Sequence, residues 1–219
     1  LNALHDLDYP KDRIMLNFIV NDSTDETLSI LREYENCYRE EYAGIILQEF
    51  NLGTCPDARV MGPRAKTRLT MECLKNVLLV MALHADADYF FFLDSDVILK
   101  PDTLTELIGM NVEVCGGLCK TGTGECYNFL NARIGTAIID FIDPESNIFE
   151  RRPFAIPAKP FPVDYLSGII LIRRDVLPSI RFRDGKGGED RGLAFDCRRQ
   201  GIQILINPGV FLEQVMERE

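Results

Sequence analysis

Short apolar runs along the chain alternate with stretches whose apolar residues recur at helical spacing. Leu1, Leu4 and Leu7 keep helical spacing until Asp8-Tyr9-Pro10 ends the segment. Ile14 to Val20 is mostly apolar and stops at the polar stretch Asn21 to Glu26, which predicts a strand and its turn. Ser23 and Glu26 have capping-box spacing, and Leu28, Leu31, Tyr34, Tyr38 and Tyr42 line one side of the helix they would open. Ile45 to Phe50 is predicted as the next strand, and Asn51 to Pro63, with two Gly and two Pro, as a loop. Ala65 to Ala85 is predicted as a long helix with Leu74, Leu78 and Met81 on its apolar side. Tyr89 to Leu93 is apolar throughout, the signature of a strand buried on both faces. Thr103 and Glu106 then mark a short helix, and Val112 to Leu118 a strand broken by Gly116-Gly117.

Strand and helix patterns thus alternate over the first 118 residues, which predicts an α/β fold with a mostly parallel sheet flanked by helices. The second half is less regular. Arg133 to Phe141 is a candidate strand, and Phe149 to Val163, with four prolines, a long irregular loop of the kind used for binding. Ser167 to Arg173 is a strong strand. Gly185 to Asp190 leads into a helix that Gly201 stops, and Ile202 to Ile206 is a last strand before Asn207-Pro208-Gly209. No repeat, low-complexity tract or linker interrupts the chain, so one domain is expected over 1–219.

Tyr89 to Leu93 ends abruptly in Asp94-Ser95-Asp96. In an extended chain residues i and i+2 point the same way, so the two carboxylates would converge. At about 5 Å and an effective dielectric near 20 they repel by roughly 3 kcal/mol. A divalent cation with oxygen ligands, held also by substrate phosphates, offsets this best. A solvated Asp-rich turn is the plain alternative. Asp22 also falls at a strand's carboxyl end, where ligands of parallel α/β sheets bind.

Composition narrows the partners. The 219 residues are 46% hydrophobic and 26% charged, ordinary for a globular domain, and no run is long enough to span a membrane. A net charge of −10 argues against a nucleic-acid backbone but leaves a nucleotide open. Seven cysteines without metal-ligand spacing suggest reduced thiols and a cytosolic location, the cytosolic face of a membrane included. His5 and His84 fall on helical segments as surface or packing residues, and the start at Leu1 without Met suggests a fragment.

Taken in order, several segments form a series: Tyr9 to Arg13, Asn21 to Asp25, Leu93 to Asp96, Ser167-Gly168 with Ile172 to Arg174, and Gly188-Glu189-Asp190 followed by Arg198 and Gly201. The series resembles the nucleotide-sugar glycosyltransferases of the GT-A fold, closest to the large inverting family 2, over almost the whole chain. The resemblance implies a nucleotide-sugar-binding half (1–118) and an acceptor-binding half (119–219). It implies transfer of a sugar from a nucleoside-diphosphate sugar, a UDP-sugar by default, to a glycan, lipid or protein acceptor. It matches Asp22 to the nucleotide-base contact, Asp94 and Asp96 to a pair that binds Mn2+ or Mg2+, and Asp190 to the catalytic base with Glu189 beside it. Ser95 joins the nucleotide-binding set, and Arg68, in the cluster Arg64, Lys66 and Arg68, is a candidate near the diphosphate. The family's first strand would precede Leu1. A histidine that relatives place after the last strand is replaced by Glu213 or Gln214, so Glu213 is the candidate third metal ligand. Cys115-Gly116-Gly117 would let donor or acceptor approach the backbone, or would serve close packing.

Other readings of the same residues remain open. Asp190 could simply cap its helix and Asp22 its turn. Asp94-Ser95-Asp96 after an apolar run also resembles the nucleophile loop of haloacid-dehalogenase phosphoryl-transfer enzymes. A non-catalytic module that binds a nucleotide sugar or glycan is the third possibility.

Overall fold

The computed structural model describes residues 1–52, 63–121, 126–130, 132–134, 137–139, 141–142, 149–150, 156–183 and 189–215, without the side chains of 63–68, 120–127 and 129–150. Residues 53–62 of the loop predicted at Asn51 to Pro63, and residues 185–188 of the glycine-rich approach predicted at Gly185 to Asp190, lie outside it, as does the Arg68 side chain. Among the described residues, the chain opens with a short helix α1 (Asn2–His5), strand β1 (Met15–Asn21), helix α2 (Thr27–Tyr38) and strand β2 (Gly44–Phe50). Next come the long helix α3 (Pro63–His84), strands β3 (Tyr89–Leu93) and β4 (Val97–Ile98), helix α4 (Thr103–Gly109) and strand β5 (Val114–Thr121). Among the later elements, β6 (Phe161–Val163), β7 (Ile169–Arg173), helix α5 (Asp190–Arg199) and β8 (Ile204–Gln214) build the centre. The segment expected as one strand near Arg133 is instead a small antiparallel pair, Ala132–Ile134 with Ala137–Ile139.

The α/β class holds, but the central sheet is mixed rather than mostly parallel. Its strand order is β6-β8-β5-β7-β3. Among the described residues only β8 and β5 pair in parallel; β7 is antiparallel to both β5 and β3, and β6 to β8. The parallel expectation rested on strand–helix–strand crossovers, and β7 follows short strands rather than a helix. The one fully parallel pair in the first half, β1 with β2, stands as a separate two-stranded sheet in register from Met15 opposite Gly44 to Asn21 opposite Phe50. Residue 118 falls within β5, so the central sheet interleaves strands from both sides of it.

Side-chain alternation splits the core into two layers, one on each face of the sheet. Phe92, Ile170 and Ile172 pack with Leu79 of α3, Phe182 and Leu193 of α5 on one face. Ile169, Leu171 and Cys115 pack with Leu107 of α4 and Leu212 on the other. The apolar β3 run feeds both layers, with Phe90 on the first and Phe91 and Leu93 on the second, as a strand covered on both faces requires. A third, smaller core holds Leu16, Tyr34, Tyr42 and Ile45, where the two tyrosine hydroxyls meet at 2.8 Å.

Local signals resolve differently from their spacing. The capping box at Ser23 and Glu26 does not form: Asp25 accepts from the Thr27 amide at 3.0 Å and the Ser23 hydroxyl at 2.8 Å. The expected stop at Asn207-Pro208-Gly209 is an irregularity inside β8, where the pairing with β5 shifts register between Asn207 and Phe211. A bulge absorbs the proline, which cannot donate to the ladder. Gly116 and Gly117 serve packing rather than ligand approach. A Cβ on Gly116 would strike the Ile169 carbonyl and Leu166, and one on Gly117 would lie 2.8 Å from Val210 Cγ1.

Candidate active site

Between β1 and β3 runs a cleft of about 1960 Å3. Its wall includes Asp22, Asp94, Ser95, Asp96, Glu189 and Asp190, so the candidate acids from both halves of the sequence face one space. Asp94 and Asp96 reach it from a tight turn rather than an extended strand: the Val97 amide donates to the Asp94 carbonyl at 3.3 Å. The turn is pinned on three sides. The Asp94 amide donates to the Gly168 carbonyl at 2.8 Å, Val215 N–H to the Asp96 carbonyl at 2.7 Å, and Gln214 Nε2 to Asp96 Oδ2 at 2.6 Å. Gly168 has a positive φ of 76°, and a Cβ there would sit 3.0 Å from Asp94 Oδ2. Only glycine gives Asp94 that room.

The electrostatics of the pair fit a cation. Asp96 Oδ1 is buried without a hydrogen-bond partner, a costly state for a carboxylate oxygen unless something positive takes it up. Burial pushes the Asp94 carboxyl above the usual carboxylate range; Lys75 opposes the rise, and Asp96 and Glu189 add to it. Among the described residues, no group of three or more His, Cys, Asp or Glu could hold a metal. A pair of carboxylates is nevertheless the usual protein share of an Mg2+ site whose other ligands are substrate phosphates and water. The residues present therefore fit a divalent ion that binds together with a diphosphate.

On the neighbouring wall Glu189 and Asp190 open α5. Asp190 is the first residue of α5, behind the N-cap Glu189, whose side chain makes no cap hydrogen bond. Asp190 Oδ1 accepts from Lys75 Nζ at 2.7 Å, and Glu189 Oε1 lies 2.6 Å from the same nitrogen. Lys75 is only 2% exposed, with its ammonium 4.6 Å from the Phe92 ring centroid and 5.5 Å from that of Phe182. Burial raises Asp190 to about 6 against the pull of Lys75, with Glu189 and Asp94 adding to the rise. For Lys75 burial acts downward, but Asp190 and Asp94 outweigh it and hold the ammonium above its ordinary value.

Two clamps hold α3 and α5 in this relation. Asn76, next to Lys75, exchanges hydrogen bonds with the Phe182 backbone at 2.7 and 3.1 Å. Asp196 of α5 accepts from the Arg181 amide at 3.0 Å and from Arg183 Nη2 at 2.5 Å. Gly192 allows the contact, because a Cβ there would lie 2.5 Å from the Arg183 nitrogen.

Asp22 directly follows β1 at a positive φ of 51°, its amide donating to the Phe50 carbonyl at 3.0 Å. Glu213 is not brought to the aspartates. It is exposed, and strand alternation turns it away from the side on which Gln214 reaches Asp96. The histidines stay out of the site: His5 stacks on Tyr38 at 4.3 Å, and His84 Nδ1 lies 2.7 Å from the Val80 carbonyl. Sequence reasoning missed Lys75 and passed over Gln214. The signal for Lys75 was a lysine inside the apolar stripe of α3, four residues before the fully buried Leu79.

The chain is similar to several known proteins. Procollagen galactosyltransferase 1-A of Xenopus laevis is 34% identical over 226 residues, covering 94% of this chain and 35% of that protein. Procollagen-lysine,2-oxoglutarate 5-dioxygenase 1 of Gallus gallus is 26% identical over 93% of this chain and 26% of its own length. The human protein named inactive glycosyltransferase 25 family member 3 is 32% identical over 129 residues, covering 56% of this chain and 21% of its own. The chain thus spans about a third or less of the curated relatives it matches. Among solved structures, Staphylococcus aureus TarS 1–349 with UDP superposes with a TM-score of 0.55 at 16% identity, over 99% of this chain and 55% of that one. GalNAc-T7 with UDP, GalNAc and Mn2+ gives 0.54 at 14% identity, over 93% of this chain and 38% of that one. The fold is of GT-A type, as in these glycosyltransferases. The Anp1 family model matches residues 1–123, more than half of the chain, and the chain belongs to the Anp1 family.

Proposed function

We propose that this domain transfers a sugar from a nucleoside-diphosphate sugar, a UDP-sugar by default, to an acceptor hydroxyl with inversion. Asp94 and Asp96 would hold Mn2+ or Mg2+, which when bound supplies Lewis-acid stabilisation to the leaving diphosphate. Asp190 would take the acceptor's proton. The observation that carries the reading is the shared cleft, where an acidic pair with an unpartnered oxygen and a separate buried carboxylate face one space. A carboxylate base raised to about 6 suits proton abstraction near neutral pH, because it is ionised there and still basic. Asp22 and Ser95, on the same wall, are the proposed nucleotide contacts. The solved neighbours bound to UDP, one of them also to Mn2+, support the donor and metal classes, and the galactosyltransferase relative supports a hexose donor.

A panel of UDP, GDP and dTDP, each with and without Mn2+, tests this on the full-length protein by thermal shift. Ligand at 100 times its Kd stabilises by about 2.7 kcal/mol. The reading predicts a shift with UDP that requires Mn2+. No shift with any of the nucleotides would overturn it.

A second reading, binding without turnover, draws support from the human and Bos taurus relatives named inactive and probable inactive, 32% and 33% identical. It keeps Asp94 and Asp96 and parts from the first at Asp190. The two readings separate on whether UDP is released from a UDP-sugar.

A further inference from the structure

Lys75 has no part in the transfer scheme above, yet it is the most deeply buried charged group beside it. Its side chain is 2% exposed, on a helix face that otherwise packs Leu79 against the sheet. Desolvating an ammonium costs several kcal/mol, and exchanging a closed buried ion pair for well-packed apolar residues is often neutral or stabilising. A lysine kept here needs a reason, and the carboxylates around it supply one. Glu189 and Asp190 both lie within 2.7 Å of Nζ, and Asp94 acts on it electrostatically. The ammonium cannot drift from these partners. The rings of Phe92 and Phe182 flank it, and Asn76 ties the adjoining turn of α3 to the Phe182 backbone.

We infer that Lys75 is a positioning residue for transfer: by holding Asp190 Oδ1 it fixes the carboxylate and leaves Oδ2 to receive the acceptor's proton. Among the described residues no hydrogen bond engages Oδ2, while Asp190 forms part of the cleft wall. In the step served, the acceptor oxygen bonds to the anomeric carbon as the bond from that carbon to the diphosphate oxygen breaks. The electron pair leaves on the nucleoside diphosphate, and the acceptor's proton passes to Oδ2. A carboxylate free to rotate about its side-chain torsions would spend much of its time off the line of that proton. One charge-assisted hydrogen bond removes the freedom. Glu189, the second partner of Nζ, keeps the ammonium from following Asp190 into the cleft.

The inference rests on the transferase reading, and the test separates the two. UDP release from UDP-galactose, UDP-glucose and UDP-N-acetylgalactosamine is measured with Mn2+ on the full-length protein, with water as acceptor, and the fastest donor is carried forward. Lys75→Met should lower kcat by about 100-fold while leaving the donor's KM within about threefold. Lys75→Arg keeps the charge, and a thermal melt close to that of wild type checks that it keeps the fold. Its planar fork cannot reproduce a point contact to Oδ1, so kcat should still fall by about tenfold or more at unchanged KM. A purely structural counter-ion predicts that arginine restores kcat together with thermal stability, and that result overturns the inference. If the methionine variant does not fold, the arginine variant decides alone. A wild-type protein that shows neither Mn2+-dependent UDP binding nor UDP release removes the transferase reading and this inference together. A wild-type protein that turns over, with an arginine variant equal to it, removes only the role of Lys75.

Discussion

The two acidic pairs that meet in the cleft are treated in opposite ways by the fold. Glu189 and Asp190 share an internal cation, Lys75, at 2.6 and 2.7 Å. Among the described residues Asp94 and Asp96 form no ion pair, and Asp96 keeps a buried oxygen without a partner. One pair is half neutralised from within and held in a fixed geometry; the other is left short of positive charge. The first arrangement suits a group that must receive a proton at one atom. The second suits a group that must recruit a cation with its ligand. On the proposed scheme, similar side chains thus acquire different chemistry from a single helix position.

The comparison can be broken most severely at Asp190. Asp190→Asn should lower UDP release by about 1000-fold, within the range expected for a general base, while Mn2+-dependent UDP binding by calorimetry stays near wild type. Loss of both would mean that the pairs do not divide the work. pH sharpens the same point. With Asp190 raised to about 6, kcat should fall about tenfold per pH unit below that value, as the base becomes protonated. The sign is the reverse for stability. A carboxyl raised above its usual 3.8 favours the folded state fully below that pH, and the contribution is lost as pH climbs through about 6.

The Asp94 side of the comparison predicts smaller effects. Gly168→Ala puts a Cβ 3.0 Å from Asp94 Oδ2 at a φ of 76°. It should destabilise by about 1–3 kcal/mol and weaken Mn2+-dependent UDP binding, both read from thermal melts. Gln214→Ala frees Asp96 Oδ2 from its 2.6 Å hydrogen bond. The metal's affinity should drop by about tenfold with little change in melting temperature.

Much of this division was legible in the sequence, and its organiser was not. The abrupt end of Tyr89 to Leu93 at Asp94 located one pair, and a glycine-rich approach to a helix located the other. Both depend on neighbours in the chain. Lys75 becomes meaningful only through contacts more than 100 residues away, and a lone lysine on a helix reads as a solvated side chain. Sheet direction failed for a related reason: the alternation of strands and helices held for the first half, but among the described residues between β5 and β7 there is no crossover helix. Gln214 lay beyond a proline and glycine that mark a strand's end by local chemistry, whereas pairing of Phe211 to Glu213 with β5 carries the strand through. The turn at Asp94-Ser95-Asp96 delivers both carboxylates to the cleft by a different backbone from the extended one their spacing suggested.

The division of labour is tested most directly by the electron paramagnetic resonance signal of free Mn2+, followed as protein is added with and without UDP. Wild type and Asp190→Asn should deplete the signal alike and only when UDP is present, whereas Asp96→Asn should leave it intact. Equal depletion by all three proteins, or loss of Mn2+ uptake in Asp190→Asn, would contradict the account.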